Sequence, residues 1–189
     1  MLKKRIIYVG VMLLLAGLWL FRFIHLNQAY PRPKLLEKKV GEVIAYTRDV
    51  DICVTKTRFL SRSEDTRLME AVSDTDTGEK DDILIVQMEA VNHSDKESLL
   101  DLTEMCLEAE GYTNGVGMTE FSTLNQGEPL RQTLAPEEKK VFEIPYLFYY
   151  SDRSKRETLL AYDFFVTYKL YPEKCRIAIG PMQEKKEKK

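Results

Sequence analysis

The chain has 189 residues with a formal net charge of −2, and 44% of its side chains are hydrophobic. Residues 1–40 hold eight basic side chains against one acidic, residues 183–189 carry +2, and residues 41–182 carry −11. This length supports one ordinary domain with its own core. An acidic domain is repelled by nucleic acid and by anionic lipid, so the composition excludes nucleic-acid binding.

A predicted transmembrane segment opens the chain. Basic residues at positions 3–5 precede an apolar run from Ile6 to Phe21. A helix continued to Leu26 spans about 31 Å if the Arg22 side chain reaches back to the headgroups, which matches a bilayer core of roughly 30 Å. We therefore expect residues 1–5 in the cytoplasm and a membrane-spanning signal anchor over residues 6–26, in contact with membrane lipid.

A cleaved signal peptide is the alternative, since it has the same basic start and apolar middle. Cleavage after Ala29 would place Asn27 at −3, where a small residue is needed, and no cysteine follows the run to accept a lipid. The pattern favours an uncleaved anchor. A short N-terminus before a large domain favours a single-pass protein with an extracellular C-terminal domain, although basic residues flank both sides of the run.

Residues 27–39, with Tyr30-Pro31-Arg32-Pro33, are expected to form a stiff linker. The apolar period then changes to two, which predicts strands and a domain over residues 40–181. Residues 182–189 are expected to be a disordered charged tail. The predicted strands are Glu42–Thr47, Val50–Val54, Ile83–Val91, Thr103–Glu110, Lys140–Ile144, Tyr162–Tyr171 and Cys175–Ile179. Ile83–Val91 is apolar enough for a central strand with both faces covered.

One segment fits two structures. Ser94 and Glu97 have the spacing of a helix-capping box, but residues 103–109 alternate as a strand does. We favour a turn followed by a strand. Gly111–Gly127 is expected to be a long loop, and Asn92-His93-Ser94 fits a glycosylation sequon but is predicted to be a turn.

Cys53, Cys106 and Cys175 lack metal-ligand spacing, and either one disulfide or three free thiols is compatible with the sequence. No nucleophile motif occurs, His93 is the one histidine of the domain, and no cofactor is expected. The acidic loop Ser73–Asp82 holds candidate cation ligands at Asp74, Asp76, Asp81 and Asp82. An EF-hand loop needs Gly at position 6 and Glu at position 12, but counted from Asp74 these positions do not match, because Gly78 is at position 5 and Ile85 is at position 12. A solvated loop is therefore favoured.

The aromatic run at residues 146–150 follows a predicted strand. One interpretation is packing in the core and at its rim. The other is an exposed contact surface made by Tyr146, Tyr149 and Tyr150, because amphipathic rings suit interfaces.

Three stretches, Asp81–Ser94, Leu107–Tyr112 and Leu134–Pro145, carry a family resemblance. They resemble the immunoglobulin-like (telokin-like) domains of unknown function in membrane-anchored, extracytoplasmic proteins of Gram-positive bacteria. The resemblance implies an antiparallel immunoglobulin-like β-sandwich. The pattern of apolar residues predicts about seven to eight strands in it. Glu137 departs from the family, which usually has Gly there, so we expect a type I turn in place of type II.

These patterns predict a non-enzymatic module that binds an envelope protein or ligand, or that serves as an envelope scaffold. One alternative is a cation- or ligand-responsive sensor domain that acts through the acidic loop. The other is a small envelope hydrolase with paired carboxylates, which would need two acidic side chains close together in a cleft.

Overall fold

The computed structural model describes residues 2–60, 82–148, 150 and 155–182. The chain divides after Lys34 into a helical unit and a β unit. The described helices are α1 (Leu2–Ala29), a 3-10 turn (Leu102–Glu104), α2 (Met118–Leu124) and α3 (Arg156–Leu160). The described strands are β1 (Lys34–Lys39), β2 (Val43–Ala45), β3 (Val50–Leu60), β4 (Asp82–Asn92), β5 (Ser98–Asp101), β6 (Cys106–Ala109), β7 (Tyr112–Gly115), β8 (Arg131–Leu134), β9 (Lys139–Phe148), β10 (Phe164–Lys169) and β11 (Glu173–Gly180).

Helix α1 matches the predicted apolar segment. The 25 residues Arg5–Ala29 are long and apolar enough to cross a membrane, with a mean hydropathy of 2.1 in the best window. The side chains from Arg5 to Ala29 are exposed, and no residue of the described ranges buries them. A fully exposed apolar helix needs a nonpolar environment from elsewhere, such as a bilayer.

The β unit is a sandwich, as predicted. One sheet has the order β1-β11-β10-β6-β7, the other has the order β2-β3-β4-β9, and β5 pairs with β8 in a small third sheet. The registered pairs β2–β3, β3–β4, β4–β9, β5–β8, β6–β7, β6–β10 and β10–β11 are all antiparallel. The described domain is therefore mainly β.

The core lies between the two larger sheets. Val50, Ile52 and Val54 alternate inward along β3, as the period of two predicts, and each is at most 1% exposed. They pack in one cluster with side chains of the opposite sheet such as Phe164 and Val166. Burial of these β-branched and aromatic faces is the main stabilising contribution to the sandwich.

Strand β4 is covered on both faces, which confirms the prediction for its apolar run. Leu84 and Val86 face the main core, whereas Ile83 and Ile85 join a second cluster with Leu147 on the other side of the sheet. Leu124 of α2 packs against that second cluster. Because the short helix covers the second face of the sheet, the apolar residues of β4 form a continuous run in the sequence and do not alternate with polar ones.

Helix α2 and β7 also cover the free edge of β9. Asn125 binds Glu143 as a neighbouring strand would, because its Nδ2 donates to the Glu143 carbonyl (2.8 Å) and its Oδ1 accepts from the Glu143 amide (3.0 Å). The Gly117 amide donates to the Pro145 carbonyl (3.0 Å), and the Asn114 side chain donates to the Leu147 carbonyl (2.6 Å). An edge whose polar groups are satisfied does not pair with other chains.

All seven predicted strands exist, but the described residues contain four more, which are short: β1, β5, β7 and β8. The predicted linker 27–39 is wrong at its end, because Lys34–Lys39 forms β1 and pairs with β11. The predicted loop Gly111–Gly127 is also wrong, since it holds β7 and α2. No α-helix occurs between Ser94 and Ala109, so the turn-then-strand interpretation is confirmed, but the strand begins at Cys106 because the 3-10 turn precedes it.

Two turns are defined by features that the sequence does not reveal, the hydrogen bonds of a buried side chain and a positive φ. The Asn92 side chain is buried and donates to three carbonyls, those of Lys96, Leu134 and Ala135, at 2.7–3.2 Å. Its amide nitrogen is therefore occupied, and the turn interpretation of the sequon is confirmed. Glu137 has a φ of +57°, so the expectation of a type I turn is wrong.

Candidate binding groove

The outer face of the five-stranded sheet is polar. Along β10, Phe164 and Val166 are buried in the core, and Phe165 between them faces the other way. On β11, Cys175 and Ile177 are buried and Lys174 and Arg176 alternate with them. A period of two therefore brings charged side chains from separate strands to one surface.

This face holds an open groove of about 540 Å³. The volume falls within the roughly 300–1,000 Å³ typical of small-molecule sites. Strands β6, β10 and β11 supply most of its lining, and the segment between α3 and β10 and the turn between β6 and β7 supply the rest. The lining residues are Glu108, Ala109, Glu110, Ala161, Tyr162, Asp163, Phe165, Lys174 and Arg176.

Glu108 is the best-connected side chain in the groove. Its Oε2 accepts from the Lys174 ammonium (2.6 Å) and from the Thr167 hydroxyl (3.0 Å), which is completely buried beneath it. Burial alone would raise the pKa of Glu108, but the hydrogen bonds from Lys174 and Thr167 outweigh it and leave this pKa lowered. Glu108 is therefore a carboxylate at neutral pH.

Arg176 is fixed in the same way. Its Nε and Nη2 donate to Glu37 Oε2 on β1 at 3.0 and 2.8 Å, and its guanidinium lies 3.6 Å from the centre of the Phe165 ring. A flat guanidinium on an aromatic face is a favourable cation–π arrangement. The contact to Glu37 gives the edge strand a side-chain connection to the groove.

The rim of the groove is less constrained. Glu110 and Asp163 are exposed, and neither has an ion-pair partner in the part of the chain that the structure describes. Tyr162 adds a half-buried aromatic side chain to the same wall. The groove thus combines two paired cations, carboxylate acceptors and aromatic surface.

The three cysteines are free thiols, so no disulfide links them. Burial, and secondarily the charge of Glu108, raises the pKa of the Cys106 thiol. Burial followed by the charge of Glu89 raises that of Cys53. A protonated thiol is a poor nucleophile, so these two positions do not fit thiolate chemistry.

The candidate cation ligands do not form a described site. Asp74, Asp76 and Asp81 lie outside the described residues. Asp82, at the start of β4, is 1% exposed and accepts from Arg156 Nε (2.5 Å) and Nη2 (2.9 Å). Within the described ranges no group of three potential metal-binding side chains occurs.

Asp82 also accepts a hydrogen bond of 2.5 Å from the Tyr150 hydroxyl. Burial and the hydrogen bond to Asp82 raise the pKa of Tyr150, and the same carboxylate raises that of Arg156. The Asp82 carboxylate therefore connects β4 to the chain around α3. Its surroundings are those of a buried ion pair and not of a solvated loop.

The predicted aromatic contact surface needs correction. Tyr146 is completely buried in the main core, with its hydroxyl lacking a hydrogen-bond partner among the described residues. Tyr149 lies outside the described residues. Tyr150 is half-buried and directed to Asp82, so the packing interpretation applies to the two described residues.

The sequence alone does not predict the groove. Its sequence signal is the alternation of Lys174 and Arg176 with buried residues on β11, which only indicates a solvent-facing sheet surface. Glu108 lies 66 positions before Lys174, and their contact depends on the pairing of β6 and β10. Such a register cannot be read from short strands.

No protein-family model matches the chain, and no curated protein matches it in sequence. Solved structures resemble it in fold. A Bacillus subtilis protein described as "a putative lipoprotein" has a TM-score of 0.50 and 9% identity over 78% of this chain. The match covers 40% of that protein, so the chain spans less than half of its length.

Two further structures match at lower TM-scores. An uncharacterised β-sandwich protein from Clostridium difficile 630 has a TM-score of 0.47 and 12% identity, over 78% of this chain and 96% of the other. A functionally unknown protein from Listeria monocytogenes EGD-e has a TM-score of 0.48 and 9% identity, over 68% and 69%. At these identities the comparisons concern the fold alone.

Proposed function

We propose that this β-sandwich is a binding module, anchored in a membrane by residues 6–26 and held outside the cytoplasm. The observation that carries the proposal is the groove of about 540 Å³ on the five-stranded sheet, in which Glu108, Lys174 and Arg176 are held by ion pairs before any ligand arrives. Fixed side chains lower the entropic cost of binding. The ligand or envelope partner would therefore contact this face.

The proposed location rests on the exposed apolar helix and on fold resemblance. Arg5–Ala29 is long enough to span a bilayer, and no described residue covers it. The similar Bacillus subtilis structure is described as "a putative lipoprotein", and lipoproteins as a class are attached to membranes. The resemblance to immunoglobulin-like domains of anchored bacterial proteins supports the same location.

Binding fits the groove better than hydrolysis does. A carboxylate hydrolase needs one carboxyl group with a raised pKa that acts as an acid. The hydrogen bonds from Lys174 and Thr167 lower the pKa of Glu108, the carboxylate held deepest among polar partners. We therefore propose a module without catalytic activity. The sensor alternative has less support, because Asp82 is already bound to Arg156.

A photocrosslinking experiment in intact cells tests this function. A benzoylphenylalanine placed at Tyr162, in the groove wall, is expected to give a discrete adduct of the full-length protein. The matched control places it at Tyr171, an exposed tyrosine in the turn between β10 and β11 that does not line the groove. No adduct at position 162, or the same adduct at both positions, would count against the proposal.

A further inference from the structure

We propose that the groove binds an uncharged, hydroxyl-rich ligand, of which a short oligosaccharide is the natural example. The inference rests on the proposed function, since it names the ligand class of the same groove. It depends on three properties of the lining residues: both cations are already paired, donors and acceptors are interspersed, and aromatic surface lies beside them.

The paired charges disfavour an ionic ligand. Lys174 is bound to Glu108, and Arg176 is bound to Glu37 and packed on Phe165. An anion would compete with carboxylates that are already in contact with both cations. A cation that paired with Glu110 or Asp163 would lie in the same groove as Lys174 and Arg176, whose positive charges oppose it.

The pairs still leave hydrogen-bonding capacity on both sides. An ammonium has three donors and a guanidinium has five, so Lys174 and Arg176 keep donors beyond those that bind Glu108 and Glu37. The rim carboxylates Glu110 and Asp163 offer acceptors in the same lining. A hydroxyl group donates one hydrogen bond and can also accept hydrogen bonds. A ligand with neighbouring hydroxyl groups therefore suits a lining that contains both donors and acceptors.

Aromatic surface completes the match. The C–H faces of a sugar ring are apolar and pack well on aromatic rings, which are rigid and amphipathic. Tyr162 lines the groove wall, and the Phe165 ring with its stacked guanidinium forms part of the lining. Purely apolar ligands fit less well, because most lining side chains are charged.

The test titrates full-length protein in detergent with chitotriose, cellotriose and maltotriose, and measures Kd by ligand-observed NMR. We expect at least one trisaccharide to bind. In Lys174→Met the affinity should fall by about tenfold or more, the loss expected for a hydrogen bond to a charged group. The matched control is Lys139→Met, since Lys139 makes a similar ion pair with Glu89 (2.8 Å) on the other sheet. That variant should bind as the wild type does.

A second variant guards against a folding defect in Lys174→Met. Tyr162→Ala removes ring surface from the groove wall and should also weaken trisaccharide binding. Absence of binding by all three sugars would overturn the inference, as would binding that both groove variants retain. Binding of inorganic phosphate alone, abolished by Lys174→Met, or of spermidine alone, strengthened by that variant, would overturn the ligand class. It would leave the photocrosslinking result at Tyr162, and with it the binding function, intact.

Discussion

At the scale of single residues, Glu137 adopts a backbone conformation that ordinarily favours glycine. Its φ is +57°, and the Glu138 amide donates to the Ala135 carbonyl (3.1 Å) across the turn. The left-handed region costs a non-glycine residue roughly 1 kcal/mol or more. The neighbouring Glu138 compensates in part, because its carboxylate accepts from the Ala135 amide (2.7 Å).

Glu137→Gly should therefore stabilise the protein, by about 0.5–1 kcal/mol, because relief of the strained φ exceeds the entropic cost of a glycine. The measurement is urea unfolding of the full-length protein in mild detergent. Glu97→Gly is the control, since Glu97 is also exposed but is not among the residues with positive φ. The Glu97→Gly variant should lose stability. An equal loss in both variants would contradict the claim that the backbone of Glu137 is strained.

Glu108 gives a prediction about pH. Because its pKa is lowered in the folded protein, its contribution to stability is present above the unfolded value of about 4.3 and is lost as the pH falls through the folded value. The Tm of the wild type should exceed that of Glu108→Gln at pH 7, and the difference should shrink towards pH 3. A difference independent of pH would show that the contact with Lys174 is not ionic.

At the scale of elements, the cover over the β9 edge is the feature with the clearest physical consequence. Asn125 replaces a missing strand, and Gly117 lets α2 approach closely, since an added Cβ there would lie 2.5 Å from the Leu147 side chain. Pro145 lies in this edge strand, a position where a residue without an amide hydrogen is tolerated. Helix α2 thus closes a sheet that would otherwise be open.

Asn125→Ala should destabilise the protein by about 2–3 kcal/mol, because it leaves both polar groups of the Glu143 backbone without their partner. Hydrogen exchange of the Glu143 amide should accelerate markedly. The control is Thr123→Ala, which removes an exposed hydroxyl bonded only within α2, to the Thr119 carbonyl. Unchanged protection of Glu143 in the Asn125 variant would contradict the role assigned to this side chain.

The sequence predicts the longest described strands, β3, β4 and β9, but not β1, β5, β7 or β8, which have four to six residues. Val50–Val54 and Ile83–Val91 show periodicity because a whole face of each is buried. Tyr112–Gly115 contains polar residues and glycine, and it forms a strand only because it pairs with β6. The acidic neighbours of Asp82 in the sequence predict an acidic loop, whereas its partner Arg156 is 74 positions away.

At the scale of the whole molecule, an apolar helix and an acidic sandwich occur in one chain. The helix begins the chain, and the domain carries most of the negative charge. The proposed arrangement uses the helix for attachment and the outer face of the five-stranded sheet for recognition. If the helix anchors the protein and the groove binds its ligand, the groove should lie outside the cell and hold a ligand there.

Labelling of Ala161→Cys with a membrane-impermeant maleimide tests that central claim most directly, because Ala161 is an exposed residue of the groove lining to which no ligand contact is assigned. The full-length variant is labelled in intact cells and after purification, and modification at position 161 is measured by peptide mass spectrometry, with Tyr171→Cys as the control. We predict labelling at both positions in intact cells, with position 161 slower there than in the purified protein and position 171 unchanged. Labelling only after permeabilisation, or equal rates at position 161 in cells and in purified protein, would contradict the account.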